Sequence, residues 1–399
     1  MQDLLLKQIR DYPKADLHVH LDGSIRLSTL IELAQARKIH LPSYSEEGLR
    51  DLVFKDTYKD LPDYLQGFQY TCAVMQDLEV LERTAYEFAW DCFHDGVVYV
   101  EPRYSPELLK GAKLKAHEVI IAIDKGLYRA KQEINALINK ENEVLLVEFG
   151  NDVPRHPEFV YSHIICCMRM WEPRESVETV NSALLTREKH GIPIMGIDLA
   201  GPEDGFPAVD HQEAFLRAHQ NFLYKTVHAG EAYGPASIFQ ALTYLHADRI
   251  GHGFHLFSKN LVNTKDPSKA ESYINNLVQY IAERRITLEV CLTSNLQTMP
   301  NLYNNPSRHS LPFMLENGLS TAICTDNTLV SNTTVTKELA LAVKTFSLTN
   351  KQLKKLIMYG IKRGFFPGSY LEKKQYIDIC SKYYDSLRTR SWSQNDAGN

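Results

Sequence analysis

The stretch K-T-V-H-A-G-E-A-Y-G-P-A-S-I-F-Q-A-L-T-Y-L-H-A-D-R-I-G-H-G, residues 225–253, contains a complete strand–helix–strand unit. Residues 225–229 form a short apolar run of buried-strand character, 236–246 repeat apolar residues at spacings of three and four, and 249–252 return to a strand. Two strands joined through a helix in so short a span lie parallel. The same alternation recurs outward in both directions. Further strands are expected at 15–20, 97–104, 164–168, 194–199, 287–291 and 321–325, with helical patterns at 78–94, 117–137, 177–190 and 273–285. Eight strands with helical crossovers predict an α/β fold, a closed (β/α)8 barrel of the TIM type.

No low-complexity linker divides the chain, so residues 1–389 read as a single barrel domain and the polar segment 390–399 as a frayed tail. Residues 138–162 read as an insertion before the third strand, with an extra strand-like run, V-L-L-V-E-F, at 144–149. In such a barrel, helix-to-strand connections lie at the face opposite the active site, so the insertion bears on stability or assembly rather than chemistry.

Composition narrows the function class. Of 399 residues, 44% are hydrophobic and 23% charged, as in ordinary globular enzymes. A formal charge of −5, evenly spread, argues against a nucleic-acid partner. The seven cysteines are odd in number and lie in apolar stretches, which fits free thiols in a reducing compartment. The first ten residues carry an early acid and only a three-leucine run, unlike a secretory leader, so a cytoplasmic location is expected. No run approaches the ~20 apolar residues of a membrane span.

The chemistry concentrates at strand ends. In D-L-H-V-H-L-D-G, residues 16–23, alternation along a strand points His18 and His20 the same way. An isolated His-x-His pair also fits hydrogen-bonded core residues. However, His228 ends the strand at 225–229, His252 the next, and Asp326 follows the last. A closed barrel brings those ends to one mouth, and imidazoles with a carboxylate suit a borderline metal such as zinc, although iron, cobalt or manganese would also fit.

With these residues in place, the sequence resembles the adenosine deaminase family of metal-dependent amidohydrolases. The resemblance rests on K-A-D-L-H-V-H-L-D-G-S (14–24), V-E-P-R-Y-S-P (100–106), G-I-D-L-A-G-P-E (196–203), H-A-G-E (228–231), R-I-G-H-G (249–253), L-E-V-C-L-T-S-N (288–295) and C-T-D-N (324–327). It implies that His18, His20, His228 and Asp326 hold one zinc ion, that His252 orients the attacking water, and that Glu231 shuttles protons. It further implies contacts of Gly201 with purine N3 and of Asp22 and His20 with the ribose 5′-hydroxyl. Asn327 stands where a familiar version of the pattern has a second aspartate beside N7; an amide donates to that acceptor directly. Leu61, Tyr64 and Leu65 resemble the helical lid over the mouth. Arg103 reads as structural, in an ion pair; Ser105 could be structural or touch substrate.

The expected activity is zinc-dependent hydrolysis of adenosine and 2′-deoxyadenosine to inosine and deoxyinosine. Rival readings are a deaminase of adenine, N6-methyl-AMP or another adenosine-like metabolite, and a catalytically silent nucleoside-binding relative. Retention of Glu231 and of every metal donor argues against the silent relative. The H-x-E…P-C-x-x-C signature of nucleic-acid base deaminases is absent. Oligomeric state is left open by the sequence.

Overall fold

The computed structural model describes residues 2–150 and 153–396. Among the described residues there are nine strands: β1 (Lys14–His20), β2 (Val97–Tyr104), β3 (Val160–Tyr161), β4 (His163–Met168), β5 (Ile194–Ala200), β6 (Tyr224–Ala229), β7 (Arg249–His252), β8 (Thr287–Val290) and β9 (Ser320–Ile323). All pairings are parallel, in the order β1-β2-β4-β5-β6-β7-β8-β9, with β3 a two-residue addition on β2. The ring is closed by a single parallel bridge between Val19 and Asp326. There the amide of His20 donates to the Asp326 carbonyl at 2.7 Å, and that of Asp326 to the His18 carbonyl at 2.8 Å. The barrel thus closes through candidate site residues.

Helices wrap the strands, which are buried on both faces and accordingly read as near-continuous apolar runs. Helix starts follow local chemistry: the Asp77 side chain accepts from the Val80 amide at 2.9 Å, and Thr349 and Gln352 form a reciprocal capping box. The short helix Leu61–Leu65 lies over the carboxyl-end mouth, started by Asp60, whose side chain accepts from the Asp63 amide. No helix among the described residues is long and apolar enough to cross a membrane. All seven cysteines are free.

Three expectations change. The strand-like run at 144–149 is helix, because the helix expected over 117–137 continues as Ala116–Phe149. Extending an existing helix adds one hydrogen bond per residue, whereas a strand there has no sheet edge to join. Val144 and Val147 consequently stay 55% and 86% exposed. The returning chain is held by two asparagines of this helix: Asn142 pairs with both backbone groups of His156, and Asn135 with both of Phe159. Second, a helix, Tyr370–Asp396, runs through most of the segment read as a tail, while 397–399 lie outside the described residues. Third, β8 and β9 stop short of the expected ends; the chain leaves β9 for Asp326, whose φ of 61° is left-handed and incompatible with a strand.

Candidate active site

The site is built from strand ends. His18 and His20 project from β1, His228 from β6, and Asp326 follows β9. The Nε2 atoms of His18 and His20 lie 3.0 and 3.2 Å from His228 Nε2, and each lies 3.5 Å from Asp326 Oδ1. Two ligands about 2.05 Å from a tetrahedral ion stand about 3.3 Å apart, so the spacing of these four donors fits a zinc-sized ion. Their chemistry, three imidazole nitrogens and one carboxylate oxygen, fits the same ion. Close approach at the barrel axis requires Gly251: a Cβ there would meet the His18 ring at 2.8 Å.

The donors are aimed from behind. His18 Nδ1 pairs with Glu289 Oε2 at 2.8 Å, and His228 Nδ1 with Asp198 Oδ2 at 2.9 Å. Each carboxylate accepts the Nδ1 proton, leaving Nε2 free for a metal. Arg103, fully buried, joins the two carboxylates: Nη1 donates to Asp198 and Nη2 to Glu289, both at 2.9 Å, and Nη2 also to the Leu17 carbonyl. Arg249 donates to Glu289 Oε1 at 2.6 Å and pairs with Glu101. Burial pushes the Glu289 and Asp198 carboxyls up, but Arg103 and Arg249 around Glu289, and His228 and Arg103 around Asp198, hold both below the usual carboxylate range. Arg103 is therefore in an ion pair, with two partners.

Burial also pushes His20, His228 and His252 below the ordinary imidazole value, which favours their neutral form. Asp326 is pulled up by burial, yet the hydrogen bond with His18 and the surrounding imidazoles hold it ionised. Its Oδ2 accepts from Ser294 Oγ at 2.6 Å.

Glu231 faces this cluster from the H-A-G-E turn, its Oε2 3.6 Å from His252 Nε2. Burial, then the nearby carboxylates of Asp326 and Glu203, push it well above the ordinary 4.5. The turn is gripped by Glu203, whose carboxylate accepts from four successive amides, those of Gly230, Glu231, Ala232 and Tyr233, at 2.7–3.0 Å. Gly230 has φ 70°, and a Cβ there would strike Ile238 at 2.7 Å.

A cavity of about 250 Å³ opens between these groups and the lid. His20, Asp22, Gly201, Asn327, Leu61, Tyr64 and Leu65 all line it, with Glu231, His252 and Asp326 at its floor. Ser105 lines it too; its Oγ, Asp22 Oδ1 and Asn327 Oδ1 are buried without a partner. Asn327 Nδ2 donates to Tyr64 Oη at 2.7 Å, which pairs with Ser331 Oγ at 2.8 Å, tying lid to loop. One amide proton of Asn327 stays available to a ligand.

Asp198, Glu203, Glu289 and Ser294 lie inside the motifs shared with the family, yet the resemblance implies no role for them. A signal was present: a carboxylate inside an apolar strand, as in I-D-L and L-E-V, is buried in a closed barrel and must be paired. Asp198→Asn should weaken zinc binding about 10–100-fold in chelator competition while the far-ultraviolet dichroism is unchanged. Unchanged affinity would show that packing alone orients His228.

The adenosine deaminase family pattern matches residues 13–383. A probable adenosine deaminase of Dictyostelium discoideum is 33% identical over 95% of this chain, which spans 43% of that relative's length. The adenosine deaminase of Mycobacterium avium is 31% identical over 91% of this chain and 93% of its own. Among solved structures, a zinc-bound amidohydrolase from Burkholderia ambifaria aligns with a TM-score of 0.76 at 20% identity, covering 96% and 94% of the two chains. The Arabidopsis N6-mAMP deaminase aligns at 0.71 and 24%, covering 94% and 99%, and an adenine deaminase of Arthrobacter aurescens at 0.74 and 22%, covering 94% and 99%. At those identities the likeness establishes the barrel fold. With the match spanning nearly the whole chain and relatives of this name at 31–33% identity, the chain belongs to the adenosine deaminase family of hydrolases.

Proposed function

We propose that this protein deaminates adenosine and 2′-deoxyadenosine to inosine and deoxyinosine, using one zinc ion per chain, as a cytoplasmic purine-salvage enzyme. The observation that carries the nucleoside assignment is the pocket wall. Its acidic side chains are Asp22, Glu231 and Asp326, and no lysine or arginine lines it among the described residues. A 5′-phosphate would lose its hydration there without a counter-charge, which disfavours AMP and N6-methyl-AMP. Free adenine would leave Asp22 Oδ1 and Ser105 Oγ unpaired, whereas ribose hydroxyls can satisfy them.

His18, His20, His228 and Asp326 would hold the zinc, which when bound lowers the pKa of a water to about 7 and supplies the nucleophile. Asp326, steadied by Ser294, accepts a proton from the attacking water, and His252 aims that water at purine C6. Glu231, protonated because it is buried among carboxylates, gives its proton to N1 as charge builds on the ring. A further proton transfer to the exocyclic nitrogen releases ammonia. Gly201 and Asn327 would hold the ring at N3 and N7, Asp22 and His20 the ribose, and Leu61, Tyr64 and Leu65 exclude water.

Turnover of adenosine, adenine, AMP and N6-methyl-AMP, followed by ultraviolet absorbance with and without a chelator, tests this reading. Fast adenosine turnover that chelation abolishes and zinc restores is expected. Preference for either nucleotide would overturn the phosphate argument, and preference for adenine the ribose argument.

A further inference from the structure

The L-T-S-N end of the sixth quoted motif, residues 292–295, lies on the helix Leu292–Thr298, behind the site rather than in it. Ser294 holds Asp326. Asn295, the next residue, points its side chain elsewhere: Nδ2 lies 3.2 Å from His252 Nδ1, and Oδ1 lies 3.2 Å from His309 Nε2. The backbone amide of Leu311 completes the chain by donating to His309 Nδ1 at 3.0 Å. His252, Asn295 and His309 are at most 1% exposed.

This chain of bonds has one possible direction. A backbone N–H can only donate, so His309 Nδ1 must carry the lone pair. Burial drives His309 down to about 3, so the ring is neutral and its proton sits on Nε2. That N–H donates to Asn295, which must present Oδ1; the flipped amide would set donor against donor. Asn295 then donates from Nδ2, and His252 Nδ1 must accept. The only proton a neutral His252 can carry is on Nε2, the nitrogen that faces Glu231 and shares a cluster with Asp326.

We infer that Asn295 and His309 are positioning residues that lock His252 as the Nε2–H tautomer, making it a hydrogen-bond donor to the attacking oxygen and barring it from serving as the base. The water's proton then goes to Asp326, which shares a cluster with His252 and Glu231 and whose Oδ2 is held by Ser294. Because the direction is set by a main-chain amide, it persists through the catalytic cycle. A neutral chain of this kind costs little to bury, since the ring nitrogens of His309 and both polar atoms of the Asn295 amide have partners.

The inference rests on the deaminase reading of the site, but its first test does not. In zinc-loaded full-length protein labelled with nitrogen-15 histidine, and with the His252 resonances assigned by their loss in His252→Gln, nuclear magnetic resonance reads which ring nitrogen bears the proton. An unprotonated Nδ1 and protonated Nε2 are expected. Asn295→Asp keeps the shape and replaces the donor by a carboxylate, so the proton should move to Nδ1 and kcat for adenosine fall about 100-fold with KM within about threefold. His309→Leu should release the tautomer and lower kcat likewise, and His309→Gln, which can accept from Leu311 and donate to Asn295, should restore both. A protonated Nδ1 in the parent protein, or an unmoved proton in Asn295→Asp, overturns the lock. A moved proton with unchanged kcat overturns the donor role. Absence of adenosine turnover in the parent protein alone would instead count against the deaminase reading.

Discussion

Glu231→Gln should retain substrate affinity within a few fold and lose kcat by about 10²–10⁴, the range carried by a positioned proton donor. Glutamine keeps the shape but has no acidic proton to give. The pH profile supplies the sign. Burial, Asp326 and Glu203 raise the Glu231 carboxyl well above 4.5, so the protonated, active form persists well above that pH, and kcat/KM should fall on the alkaline side as that proton is lost. This limb should vanish in the variant. Stability should move the other way. Between 4.5 and the raised folded value, the unfolded chain binds fewer protons than the folded one, so Glu231 costs stability increasingly as pH rises. The glutamine variant should therefore melt no lower than the parent at pH 8, which separates lost chemistry from lost fold. A rate that rises with pH through this region would assign Glu231 as a base instead.

Arg103→Met should lower stability by about 3–5 kcal/mol in urea unfolding of the zinc-loaded protein, the cost of leaving a buried charge uncompensated. Here two carboxylates, Asp198 and Glu289, lose their common partner in a site with no exposure. Arg249 remains on Glu289, so Asp198 bears the larger loss. Zinc affinity should fall in the same variant, because the carboxylates that aim His228 and His18 lose the cation that holds them in place. Lysine is a poor replacement: one ammonium cannot span Asp198, Glu289 and the Leu17 carbonyl in the geometry of a planar guanidinium. A loss below about 1 kcal/mol would show that methionine packing compensates the ion pairs, as it does in some proteins.

What was legible in the sequence follows from which interactions are local. Alternation along β1 sends His18 and His20 to one side whatever the rest of the chain does, and short apolar runs at regular intervals specify a parallel sheet because only strands covered on both faces can be so apolar. The lid residues Leu61, Tyr64 and Leu65 were legible only through likeness, since a short amphipathic helix reads the same wherever it packs. The run at 144–149 misled because β propensity is a statement about packing partners: with none present, the preceding helix simply continued.

The sequence by itself therefore determined the barrel and the placing of His18, His20, His228, His252 and Asp326 at its strand ends, because alternation and short apolar runs are local; the metal-binding and proton-transfer roles proposed for these residues and for Glu231 came through the family resemblance. Only the tertiary structure decided how those groups are held. The Arg103 bridge spans 86 to 186 residues of sequence, the closure of the ring depends on Asp326 adopting a left-handed turn beside Val19, and the Leu311–His309–Asn295–His252 chain joins three separate segments. Hydrogen-bond direction and charge pairing are properties of atoms brought together by folding, and no pattern along the chain states which atoms those are.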